Sequence, residues 1–172
     1  MKVIILGSGK QAISIAKSCL LITKSILFFD KNDSTLMAVK KEFDKNVENI
    51  NHKIEYSSKP YFDTSEKYIV FDCFTDYEKN IDNVRNLFKN LLDAELLFVT
   101  SKFYSVTYLA SLSHNPKRVV GLQFLTSFDD IKIVELIRGM HTSQKILKKA
   151  EDYLNKMGKD SIVIKDTPGF LL

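Results

Sequence analysis

The chain has 172 residues, 45% of them apolar and 27% charged, with six Gly and three Pro. That is one domain's length with enough apolar content for a buried core, and it excludes disordered, collagen-like and low-complexity chains. The net charge is +4 at pH 7, yet only Arg85, Arg118 and Arg138 among the 25 basic residues are arginine, and many lysines sit beside acids, as in VKKEFDKN. Arginine is the residue suited to bidentate phosphate and base contacts, so the expectation is a solvated lysine-rich surface with no nucleic-acid partner. The two cysteines, Cys19 and Cys73, form neither a disulfide framework nor a metal-ligand spacing, which predicts a reducing compartment and no metal. No apolar run approaches the roughly 20 residues a bilayer requires, and the first apolar stretch runs straight into Gly7, leaving no room for a leader. The expectation is a single soluble, cytoplasmic domain over residues 1–172, with no membrane partner.

Short β-branched runs alternate with longer helical stretches, the pattern of a parallel α/β sheet. Strands are predicted at residues 2–6, 26–29, 53–56 (weak), 68–73, 96–99 and 119–124. Helices are predicted at 11–21, from Asp33 and Ser34 to about 45, at 82–92 and at 105–112, with a polar connector over 57–66. The rhythm then changes to two strands, 132–138 and 161–165, flanking a helix at 142–156 that stops before Gly158. There is no internal repeat and no flexible linker. The predicted fold is a Rossmann-like α/β domain, mainly parallel, extended by antiparallel edge strands.

The segment VIILGSGKQAISIA places Gly7 and Gly9 between a strand and a helix. A nucleotide pyrophosphate needs a tight turn there, close backbone approach and N–H groups at a helix start, where Lys10 and Gln11 stand. Asp30 ends the second strand, 23 residues after Gly7, where a carboxylate can accept the hydroxyls of an adenosine ribose and repel a 2′-phosphate. The expected cofactor is therefore NAD rather than NADP. Lys10 does not make a P-loop, because Gln11 follows it and the Walker spacing is missing. The bland alternative is a glycine turn in an empty α/β fold, with Asp30 as a helix-start acid.

Three later segments, NPKRVVGLQFLTS (residues 115–127), KIVELIRGMHTS (132–143) and MGKDSIVIKDTPGF (157–170), carry a resemblance to the 3-hydroxyacyl-CoA dehydrogenase family, specifically its N-terminal NAD-binding domain. The resemblance covers essentially the whole chain and implies a Rossmann-like sheet with antiparallel extensions. It also implies roles by position. The family's catalytic histidine falls on Gln123, and its charge-orienting glutamate on Glu135. The substrate-oxygen serine lies in a stretch that here begins at Ser101 and puts Tyr104 at its place, and the nicotinamide-side asparagine falls on Thr126. The family continues past PGF into a helical domain that supplies a substrate asparagine and most of a dimer interface. This chain ends at Leu172, so a homodimer or partner chain stays open. The stretch between Asp30 and Tyr68 has room for one helix but not for the helical hairpin that helps hold CoA.

The cofactor-binding candidates are thus Gly7, Gly9, Lys10, Gln11, Asp30, Ser101 and Thr126; the catalytic candidates are Gln123, Glu135 and Tyr104. Oxidising a 3-hydroxyl needs a group that takes its proton, and histidine beside a carboxylate suits this near neutral pH. Glutamine can hydrogen-bond but cannot take that proton. Glu135 then reads equally as an edge-strand acid paired with a lysine. Tyr104 could serve as the acid/base with its phenol tuned by Lys102, or simply pack as a half-buried aromatic. His52, His114 and His141 and the buried-thiol candidate Cys73 carry no catalytic signal. Two functions compete: an oxidoreductase acting on a small hydroxyacyl-CoA or related hydroxy acid, and a non-catalytic NAD(H)-binding sensor or accessory subunit. A regulatory nucleotide-binding domain fits the first 45 residues equally, but the PGF segment argues against it.

Overall fold

The structure, a computed structural model, describes residues 1–46, 51–60, 66–74, 77–100, 103–124, 126–128 and 130–167. Among the described residues eight strands form one sheet: β1 (Lys2–Leu6), β2 (Ser25–Phe29), β3 (Lys53–Ser57), β4 (Tyr68–Asp72), β5 (Ala94–Val99), β6 (Val119–Gln123), β7 (Ile133–Arg138) and β8 (Asp160–Lys165). Among the described residues the α-helices are α1 (Lys10–Cys19), α2 (Asp33–Asn46), α3 (Tyr77–Asn90), α4 (Val106–Leu112) and α5 (Gln144–Lys156). The spatial order is β3-β2-β1-β4-β5-β6-β7-β8. The first six strands are parallel; β7 runs against β6 and pairs parallel with β8, so the last two strands form the reversed extension.

Apolar alternation puts both faces of the sheet to use. Val3, Ile5, Phe28, Phe71, Phe98 and Leu122 meet α1, α2 and α5 on one side, through Ile15, Ala16, Val39, Phe43, Leu147 and Leu154. Ile4, Leu6, Phe29, Val70, Leu97 and Val119 meet α3 and α4 on the other, through Leu87, Phe88, Leu109 and Ala110. A parallel sheet covered on both faces is what near-continuous apolar strands require. The chain winds outward from β1 to β3 and then crosses to β4 on the other side of β1. That reversal leaves a gap between the turns at the carboxyl ends of the strands, the usual ligand position in such sheets.

Several boundaries differ from the sequence reading. The weak third strand is real and forms the parallel edge, with partly exposed side chains paired to β2. Helix α3 starts at Tyr77, earlier than residue 82, and β5 starts at Ala94, earlier than residue 96. The cap of α2 is Asn32: its side-chain oxygen accepts the Ser34 amide at 2.9 Å and its carbonyl accepts the Leu36 amide at 3.1 Å. Glu135 is not on an edge. β8 lies outside β7, and Glu135 is fully buried. Among the described residues no helix is long and apolar enough to cross a membrane, and no group of three or more His, Cys, Asp or Glu is placed to hold a metal ion.

Candidate functional site

The turn from β1 into α1 builds the first part of the site. Gly7 has φ of +99°, and a Cβ there would lie 3.1 Å from the Cys73 carbonyl, so only glycine suits the turn. Its amide donates to the Phe29 carbonyl at 2.8 Å, and the Cys73 amide donates to Leu6 at 2.8 Å, tying together the ends of β2, β1 and β4. Gly9 is different. A Cβ on it would meet nothing within 4 Å, so its lack of a side chain keeps open space in front of the turn. It caps α1 with no side-chain hydrogen bond, and no acid stands in the first turn of that helix. The start of α1 therefore presents amides and the positive end of its dipole to that space.

The space is a crevice of about 710 Å³ lined by Gly7, Ser8, Gly9, Lys10, Gln11, Asp30, Lys31, Asn32 and Thr35, with an apolar wall of Phe29, Phe74, Val84 and Leu87. Asp30 stands at the mouth of β2, half-buried. Its Oδ1 accepts the Asn32 amide at 3.0 Å and its Oδ2 accepts the Ser8 hydroxyl. Cys73 also lines the crevice, but burial, reinforced by the neighbouring Asp72 charge, pushes its thiol well above the ordinary cysteine range.

A second hollow, of about 260 Å³, shares Lys10 and Gln11 with the crevice and adds Gln123, Phe124, Thr126, Ser127 and Phe128. Gln123 ends β6 and is 6% exposed; Thr126 is exposed in the loop beyond it. Lys159, itself buried, braces that loop: its ammonium donates to the Ile131 carbonyl at 2.6 Å and lies 5.0 Å from the centre of the Phe128 ring. In the antiparallel pair of β6 and β7, Gln123 and Glu135 are directly opposite. Opposed residues share a face, with Cβ atoms about 5 Å apart, so the two side chains are within reach of each other.

Tyr104 goes elsewhere. Its ring stacks on Tyr108 with centroids 5.3 Å apart and packs against the core beneath α4. The start of α4 is held by Ser105, whose hydroxyl accepts the Tyr108 amide, and by Asp166. Asp166 accepts the Val106 amide at 3.1 Å, the Thr107 amide at 2.7 Å and the Thr107 hydroxyl at 2.5 Å. Ser101 and Lys102 lie outside the described residues, as does the PGF segment. His114 and His141 are exposed, and His52 lies 3.3 Å from the Leu20 carbonyl, away from both hollows. The structure thus gathers Gly7, Gly9, Lys10, Gln11 and Asp30 around one crevice and sets Gln123 and Thr126 beside it. Sequence reasoning missed Ser8, Asn32 and the Phe74 wall; only Ser8, lying between the two glycines, carried a visible signal.

The family model described as 3-hydroxyacyl-CoA dehydrogenase, NAD binding domain, matches residues 2–167. A fatty acid oxidation complex subunit alpha from Psychrobacter sp. (strain PRwf-1) is 30% identical over 113 residues, covering 65% of this chain and 16% of that protein. Among solved structures, the 3-hydroxyacyl-CoA dehydrogenase of Archaeoglobus fulgidus superposes with a TM-score of 0.81 at 22% identity, over 97% of this chain and 57% of that one. The (S)-3-hydroxybutyryl-CoA dehydrogenase of Ralstonia eutropha gives 0.79 at 22% identity, over 99% of this chain and 65% of that one. These structural likenesses carry the fold, and the chain spans only part of each relative's length.

Proposed function

This chain belongs to the 3-hydroxyacyl-CoA dehydrogenase NAD-binding-domain family, and on that premise we propose that it holds NAD(H) in the crevice at the end of β1 and serves an oxidoreductase acting on a hydroxyacyl-CoA or a related hydroxy acid. The observation that carries the reading is the crevice itself. Gly9 leaves room that a Cβ would fill, uncapped amides of α1 face it, and Asp30 stands at its rim. These groups suit a pyrophosphate and a ribose diol in turn, and Phe29, Phe74, Val84 and Leu87 offer a surface for a flat base. When bound, the nicotinamide supplies hydride exchange with the substrate carbon.

What this chain's own residues do is bind and orient. Gly7, Gly9, Lys10, Gln11 and Asp30 would fix the adenosine and pyrophosphate end, and Ser101 and Thr126 are assigned to the nicotinamide end. A hydroxyl that gives up hydride must also release a proton. At the position facing that hydroxyl stands Gln123, whose carboxamide donates or accepts a hydrogen bond but takes no proton near neutrality. Glu135, buried on the next strand, is assigned to orienting the Gln123 side chain, while Tyr104, stacked on Tyr108, lines neither hollow.

The neutral side chain opposite Glu135 favours a second reading, a non-catalytic NAD(H)-binding sensor or accessory subunit. Two measurements on the purified protein separate the readings: calorimetric titration with NAD and NADH, and NADH formation from 3-hydroxybutyryl-CoA at high protein concentration. Binding with turnover supports the oxidoreductase, binding without turnover the sensor, and absence of binding overturns both.

A further inference from the structure

Ser8 sits between the two glycines of the β1–α1 turn, half-buried, and its hydroxyl does not turn toward the start of α1. It donates to Oδ2 of Asp30, a residue 22 positions on at the end of a different strand. The other oxygen, Oδ1, accepts the Asn32 amide at 3.0 Å. Asn32 is immobilised in turn, because its carboxamide oxygen accepts both the Ser34 amide at 2.9 Å and the Ser34 hydroxyl at 2.6 Å at the head of α2. The acid at the rim of the crevice is therefore held by two donors, one on each oxygen, from two separate elements.

We propose that Ser8 is a positioning residue that fixes the Asp30 carboxylate for a vicinal diol and thereby sets the preference for an unphosphorylated adenosine ribose. A carboxylate has about four acceptor sites. Ser8 and Asn32 occupy one on each oxygen, which leaves one on each for a ligand. Two adjacent hydroxyls match that pattern, both donating. A 2′-phosphate brings acceptors and negative charge to the same place and is repelled. Lys31, exposed and lining the same crevice, is a cation that a 2′-phosphate could use if the carboxylate swung away. The Ser8 hydrogen bond opposes that swing, so discrimination depends on a residue that need not touch the ribose.

The inference rests on the nucleotide reading above, and the experiment keeps the two apart. Wild-type protein and Ser8→Ala are titrated with NAD, with NADP, and with the NAD analogue lacking the adenosine 2′-hydroxyl, with a thermal melt of each protein as a check on folding. A hydrogen bond to a charged group is worth enough that Ser8→Ala should weaken NAD about tenfold. NADP binding should change about twofold or less, and the deoxy analogue about threefold or less, because each lacks the full diol that the fixed carboxylate serves. The NAD-over-NADP preference therefore falls. Equal weakening of all three nucleotides overturns the proposal, since it places the role of Ser8 at the shared pyrophosphate or in the turn itself; unchanged NAD affinity also overturns it. Wild-type protein that binds none of them removes the nucleotide reading and this proposal with it.

Discussion

At the carboxyl ends of β1 and β2, the turn glycines, Ser8, Asp30 and Asn32 form one connected network around an open crevice. At the carboxyl end of β6 the scaffold is equally well made. Lys159 braces the loop, and Glu135 lies in register with its neighbour. Yet the residue facing the second hollow is a neutral carboxamide. The comparison separates two demands on a dinucleotide domain. Binding needs backbone shape and a fixed acid, which are maintained by local geometry. Proton transfer needs one side chain of suitable pKa, a demand that backbone shape alone does not meet.

The largest effect expected is a gain. Gln123→His places an imidazole opposite Glu135, and since a positioned base contributes about 100-fold or more, NADH formation from 3-hydroxybutyryl-CoA should rise by about that factor. Wild-type turnover that falls on this substitution would break the comparison at the reacting end. At the adenosine end, Gly7→Ala puts a side chain at φ of +99° and within 3.1 Å of the Cys73 carbonyl. It should cost about 2 kcal/mol in urea unfolding.

Much of this contrast was legible before the fold was known. The apolar runs of β1, β2 and β4 are short, continuous and bounded by turn residues, so strand, glycine turn and terminal acid could be placed in order. Other features depended on contacts that sequence spacing hides. α3 opens with a polar turn, and its apolar stripe begins only at Ile81, so its first turn was not read. β3 shows in the sequence only as a weak strand over 53–56, because none of its residues is fully buried. Glu135 reads as readily as an edge acid in the sequence, because nothing local shows that β8 lies outside β7. Asp166 caps a helix about 60 residues earlier, and Ser8 reaches Asp30 across 22 positions. Reading Gln123 and Glu135 as a pair depended on the family resemblance, and the strand register then put them opposite each other.

Two smaller effects sharpen the view that the second half is structurally intact. Asp166→Ala removes the acceptor for two amides and a hydroxyl at the head of α4. Losing such a cap should lower stability by about 1.5 kcal/mol, read by chemical unfolding. Glu95, on β5, accepts the Lys149 ammonium at 2.5 Å, and that hydrogen bond holds its carboxyl below the usual range. A carboxylate with a lowered folded pKa stabilises at pH values above its unfolded pKa, and the contribution is lost as pH falls through the folded value. Glu95→Gln should therefore cost about 0.5 kcal/mol at neutral pH and flatten the loss of stability below about pH 4.

The central claim, that the crevice at the end of β1 clasps an adenine dinucleotide through Asp30, is tested most directly by calorimetric titration of NAD into the wild-type protein and into Asp30→Ala. The account predicts one-to-one binding by the wild type and a loss of about 30-fold in the variant, the size expected when hydrogen bonds to a charged group are removed. Absence of binding by the wild type, or equal affinity in the two proteins, would contradict it.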